Sequence, residues 1–140
     1  MRCALVVLCV GLQAQVGHAQ EVPDGVYSAA SGPVELCGLT APDVAALRGE
    51  AERSTSLSHI PIDSDRFELF ADADHAHQLV FTLPGEAAYP AASCRRVYEE
   101  DGSLRMERSL RCGAGRAECD ALFLEFQELD ASLTRELRGR

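Results

Sequence analysis

The chain has 140 residues, with 13 Arg and no Lys against 22 Asp and Glu, for a formal net charge of −9. Apolar residues make up 46 % and charged residues 25 %, an ordinary globular balance that argues against a generally disordered chain. The acidic excess argues against nucleic acid or an anionic membrane surface as the main partner, and the length suits one domain.

Residues 1–19 carry the three parts of a secretory signal peptide. Arg2 is a minimal positive n-region, and Ala4 to Val10 is an unbroken apolar h-region. Gly17-His18-Ala19 then places small residues where a signal peptidase needs them. The h-region is far shorter than the roughly 20 apolar residues that span a bilayer, and no later segment approaches that length, so no transmembrane segment is expected. Cys9 lies in the apolar stretch, but Val7-Leu8 before it are not the small residues that lipidation requires. Cleavage after Ala19, with Ala14 as a second option, leaves Gln20–Arg140. That mature chain has 121 residues with 12 Arg and 22 acids, net −10, and is expected to be a single domain in the periplasm or extracellular space.

Gln20 to Asp24 reads as a short arm. Gly25–Ala29 and Val34–Leu39 read as short strands about a Ser31-Gly32-Pro33 turn. Thr40 is placed to cap a helix up to about Arg53, with Pro42 in its first turn, Asp43 completing a capping-box-like pattern, and Val44, Leu47 and Ala51 on one buried face. Ser54–Ser58 is small and polar, hence loop. Arg66–Ala71 and Gln78–Leu83 are strands joined by the hairpin connection Asp72–His77, and Glu86–Ala92 is a loop.

The clearest supersecondary signal is a hairpin from Cys94 to Cys112 centred on Glu100-Asp101-Gly102. A three-residue loop with Gly in the left-handed region sets Tyr98 opposite Leu104, Arg96 opposite Met106 and Cys94 opposite Arg108, with Arg95 paired to Glu107 on the other face. It gathers Tyr98, both cysteines, Leu104, Met106 and Leu110 on one core face, but also Arg96 and Arg108. A two-residue Asp-Gly loop would shift the register and move Cys94 and Tyr98 off that face. The last element, about Arg116–Arg138, is a helix with an apolar stripe of Cys119, Leu122, Phe126, Leu129, Leu133 and Leu137. The expected fold is α+β: an antiparallel sheet of about five strands, the C-terminal helix on one face, a short helix near 41–53, and disulfide bracing.

Removing the leader removes Cys3 and Cys9 and leaves Cys37, Cys94, Cys112 and Cys119. An even number in an exported chain reads as two disulfides, since no C-x-x-C pair supports zinc or redox chemistry. Within the expected hairpin, Cys112 lies about 13 Å from the partner of Cys94 at strand rise, which disfavours bridging those two. The favoured pairing is Cys37–Cys94 with Cys112–Cys119. The alternative is Cys37–Cys112 with Cys94–Cys119.

Asp72, Asp74, His75 and His77 are the densest set of potential metal ligands. In an extended segment the two histidines share a side and the two aspartates take the other, so three ligands on one metal would need the turn to curl. The same residue types also suit a solvated turn. Asp63 and Asp65 lack the Gly and closing Glu of a calcium loop. Arg95, Arg96, Arg105, Arg108 and Arg111 crowd the hairpin, but Glu99, Glu100, Asp101 and Glu107 leave that span a net of only +1, which reads as a salt-bridged surface. His59 is a lone imidazole, and Gly113 with Gly115 is an incomplete phosphate-loop pattern. No nucleophile elbow, zinc-protease or S-x-x-K motif occurs. The expectation is a small exported, non-catalytic binding or accessory protein without a cofactor, acting on a protein or envelope component. The alternatives are a metal-binding protein using Asp72–His77 and an inhibitor of an exported enzyme.

Overall fold

The computed structural model describes residues 27–29, by backbone alone, and 32–139. The leader at 1–19, the arm at 20–24 and the turn residue Ser31 lie outside the described residues. The elements in chain order are β1 (Tyr27–Ala29), β2 (Val34–Leu36), β3 (Leu39–Ala41), α1 (Val44–Arg53), β4 (Ser58–Ile60), β5 (Phe67–Ala71), β6 (His77–Thr82), β7 (Ala91–Glu100), β8 (Ser103–Cys112) and α2 (Arg116–Arg138). The main sheet runs β1-β8-β7-β6-β5-β4, and β2–β3 is a separate hairpin. From β4 to β8 every neighbour is antiparallel, and β1 joins β8 in parallel. The α+β class is as expected from the sequence, with β1 and the edge strand β4 completing a six-stranded sheet.

Both faces of the sheet are covered. On one, Phe70, Leu79, Phe81 and Ala92 pack with Val44, Leu47 and Ala51 of α1 and with Val34, Leu36 and Ala41 of the small hairpin. On the other, Ala91, Leu110 and Cys112 pack with Cys119, Leu122, Phe123 and Phe126 of α2. Burying each of the Val, Leu and Phe side chains among these contributes about 1.5–3 kcal/mol.

The start of α1 differs from the sequence expectation. Cys37 and Gly38 both have positive φ (50° and 75°), a two-residue primed turn that reverses the chain and pairs Leu36 with Leu39. Thr40 is therefore in β3, and Asp43 is the N-cap, its Oδ1 accepting from the Ala46 N–H at 2.8 Å. The buried face of Val44, Leu47 and Ala51 is as expected. Beyond Ser54, the Ser54 hydroxyl accepts from the N–H groups of Ser56 and Leu57, both at 3.1 Å, and turns the chain into β4.

The long hairpin also corrects the expectation. Its loop is the two-residue Asp101-Gly102, with φ of 51° and 72°, and Glu100 pairs with Ser103. Cys94 thus faces Ser109, Arg96 faces Glu107, and Arg95 faces Arg108. Cys94 and Tyr98 do leave the face of Leu110. Both turn to the α1 side, where Cys94 packs into a second core, while Tyr98 lies farther along the hairpin under Arg96 with its hydroxyl donating to Glu107.

The disulfides are Cys37–Cys94 and Cys112–Cys119, with Cα atoms 5.5 and 5.9 Å apart. The first fastens the β2–β3 turn to β7 across 57 residues of sequence. The second ties the end of β8 to the first turn of α2. In the chain-entropy model the long bridge contributes about 4 kcal/mol. Cys37→Ala with Cys94→Ala should lower the unfolding free energy in urea by that order, and a loss below about 1 kcal/mol would show that α1 and the small hairpin hold the sheet without it.

Candidate ligand-binding groove

The second disulfide places the start of α2 beside the end of β8, and Thr134 and Leu137 near its other end lie beside Gly102, Ser103 and Leu104. The helix therefore runs back along β8. It covers β7 and β8, touches Phe67 and Val80 at its flank, and leaves the rest of the β5–β6 part of the same sheet face open. Phe67, Leu69 and Val80 form the floor of the resulting groove, with Phe126 and Leu129 on the helix side and Ile62 also lining it, and the space measures about 460 Å³. That volume is within the usual range for small-molecule sites. Ile62 and Leu129 are 43 % and 47 % exposed, so two large apolar side chains stand in water at its margin.

One end of the groove is polar. Arg95 and Arg108 lie opposite each other on the α2 side of the sheet, an unfavourable juxtaposition unless an anion lies between them. Asp130 of α2 is that anion. Arg108 donates to both its oxygens, Nε to Oδ2 at 2.7 Å and Nη2 to Oδ1 at 2.6 Å, and a third donor, Nη1, reaches Ser93 Oγ at 2.8 Å. The Arg108 guanidinium also stacks over Phe126, 4.4 Å from the ring centre. Arg95 has a weaker share, with Nη1 at 3.2 Å from Asp130 Oδ1 and Nη2 donating to Gln78 Oε1. Its Nε is buried with no hydrogen-bond partner among the described residues.

Beside the apolar end, Arg66 ties the loop after β6 to α2. It donates to Glu86 at 2.7 Å and to both oxygens of Glu125 at 2.8 and 2.9 Å, so the loop after β6 and the flank of α2 share one guanidinium. The hydrogen bond from Arg66 keeps the Glu86 carboxyl below the usual glutamate range, outweighing the burial that works to raise it. Phe67, beneath Arg66, stacks with Phe126 at 5.7 Å between ring centres.

The residues singled out in the sequence are distributed otherwise. Among Asp72, Asp74, His75 and His77, the turn brings together Asp72 and His77, not the two histidines. Asp72 Oδ2 lies 2.8 Å from His77 Nδ1, and Asp72 Oδ1 accepts from the His77 N–H at 3.1 Å. Burial works to raise the Asp72 pKa, but the side-chain and backbone hydrogen bonds of His77 outweigh it and the carboxyl ends below its ordinary value. Asp74 and His75 are exposed at the tip, His75 with φ of 55°. Among the described residues no three His, Cys, Asp or Glu side chains are gathered to hold a metal ion. The five hairpin arginines are split by the pleat. Arg96 pairs with Glu107 at 2.8 Å and Arg105 lies 3.4 Å from Glu100, both on exposed surface, Arg111 donates to the Leu110 carbonyl at 3.0 Å, and Arg95 and Arg108 go inward. The expected Arg95–Glu107 pair is thus replaced by Arg96–Glu107. His59 lies edge-on to Phe70 with Nε2 3.4 Å from Glu68, and Gly115 is the N-cap of α2.

The groove was not apparent from the sequence, although two signals pointed to it. The stripe on α2 continues through Leu129 and Leu137 past the last buried residue, Phe126. Asp130 lies within that helix beside the stripe and answers Arg108, one of the two arginines, with Arg96, that the expected register left on the inner face. Asp130→Asn would leave two partly buried guanidinium groups facing each other, at an expected cost of about 3 kcal/mol in urea unfolding. A cost below about 1 kcal/mol would show that solvent compensates both arginines.

No family model, curated protein or solved structure matches this chain.

Proposed function

We propose that this is a small exported, non-catalytic binding protein that holds an apolar component of its compartment in the groove between α2 and β5–β6. The observation that carries this reading is the open apolar floor of Phe67, Leu69 and Val80 beside a helix whose apolar stripe outruns its buried part. Its lining includes no His, Cys or Ser, and its two carboxylates are Glu125, held by Arg66, and Glu128 on the exposed rim, which supports binding rather than nucleophilic chemistry through these side chains. Export is supported by the leader-like residues 1–19 together with two disulfides, which persist in oxidising compartments. Among the described residues no helix is long and apolar enough to cross a membrane.

Two measurements test the two halves of the reading. Peptide mapping by mass spectrometry under non-reducing conditions, on protein taken from its native compartment, should find Gln20 at the N-terminus and both bridges intact. Four free thiols would remove the export half. For the groove, the neutral dye Nile red should bind saturably at one site. Ile62→Arg with Leu129→Arg should weaken that binding about 10-fold or more with little change in stability, since both side chains are half exposed. Unaltered dye binding in the double variant would sink the groove as the binding site.

A further inference from the structure

Resting on the groove reading, we propose that the occupant is an amphiphile with a single carboxylate head and an acyl-chain tail, the carboxylate seated on Arg95 and the tail along Phe67, Leu69 and Val80. The charges at the polar end are unequal. Arg108 engages both oxygens of Asp130 and makes a closed bidentate pair. Arg95 shares only Oδ1, already bound by Arg108 at the shorter distance, and its other recorded acceptor is the neutral amide of Gln78. One of two guanidinium charges therefore lacks a counter-charge of its own, although the Arg95 side chain is only 14 % exposed. Burial of such a charge is costly unless an anion completes it.

Arg95 is also where an anion with an apolar tail would put its head. It lines the groove and a neighbouring cavity of about 300 Å³ formed with Gln78, Val97, Met106 and Leu133. Both spaces are largely apolar apart from this end. The other charges nearby do not supply the missing anion. Glu125 is bonded to Arg66, while Glu128 and Glu136 are exposed on the rim and make no ion pair among the described residues. Those rim carboxylates and the net charge of −9 oppose a small free anion, so the affinity must come mainly from the tail, with the guanidinium selecting the head. A planar guanidinium fork suits a carboxylate, which can accept two parallel N–H bonds.

Displacement of Nile red by dodecanoate and by dodecanol, both below micelle-forming concentrations, separates the two contributions. Dodecanoate should displace the dye at a concentration about 10- to 100-fold lower than dodecanol, the ratio expected for a hydrogen bond to a charged group. Arg95→Met should bring the two to within about 3-fold of each other without weakening dodecanol. Should that variant not fold, the contrast between acid and alcohol on the unaltered protein decides alone. Equal displacement by acid and alcohol would overturn the carboxylate assignment and leave the groove standing. Displacement by neither, with dye bound, would overturn the acyl-chain assignment, and absence of dye binding would remove the groove reading itself. A short peptide with an apolar residue before its free C-terminal carboxylate, if it displaced the dye better than dodecanoate, would overturn the lipid in favour of a protein terminus.

Discussion

The turn at Asp101-Gly102 sets which side of the sheet every residue of β7 and β8 faces. With both residues at positive φ, a two-residue loop matches the right-handed twist of the strands and pairs Glu100 with Ser103. Side chains alternate with period two, so one residue more in this loop would change which residues meet across the hairpin. The observed register sends Cys94 to the side where Cys37 waits, and it aligns Arg95 and Arg108 on the side of Asp130. The long disulfide and the buried ion cluster are both consequences of that one turn.

The two layers that cover the sheet are fastened in comparable ways. On the α1 side, Cys37–Cys94 is joined by Arg48 of α1, whose Nε and Nη2 donate to the two oxygens of Glu68 on β5 at 2.6 and 2.9 Å. On the α2 side, Cys112–Cys119 holds the first turn, the Phe67–Phe126 contact holds the middle, and Asp130 follows one turn later. After Asp130 the anchoring weakens, and Leu137 is 45 % exposed. The groove thus lies beside the well-fastened half of α2, whose position is set by a covalent bond, an aromatic contact and an ion cluster. A binding site gains from walls of that kind, because little ordering remains to oppose association.

What could be read in the sequence followed from the strength of local signals. Phe81 and Leu79 alternate cleanly, Leu122 and Phe126 keep helical spacing, and Cys112 and Cys119 flank glycines that let the chain double back. Strands β5 and β6, helix α2 and both bridges were accordingly foreseen. Errors arose where two local rules competed. Thr40 and Asp43 are both good caps, and only the reversal at Cys37-Gly38, itself a tertiary commitment through the Cys37 bridge, puts Thr40 in a strand. In the long hairpin, Tyr98 and the two cysteines share one face only with the longer loop, which strands Arg96 and Arg108 on that face. The sheet instead has two core faces, with Cys94 on one and Cys112 on the other. The groove depends on where α2 ends its coverage of the sheet, which no spacing along one element encodes.

The ion cluster at the groove's end is an expensive way to fill space. Apolar side chains of similar volume at Arg95, Arg108 and Asp130 would interdigitate with Phe126 and Val80, and replacements of that kind in other proteins are neutral or stabilising. The Cys112–Cys119 bridge and the Phe126 packing share the positioning of α2 with the cluster. Arg108 with Asp130 could meet a purely structural need as a closed pair. A second guanidinium beside them adds one longer bond to α2, at 3.2 Å, and leaves a buried N–H unpartnered. Such an excess is reasonable where an anion from outside the chain supplies the missing counter-charge, and the apolar groove lined by that same arginine provides the route by which it would arrive.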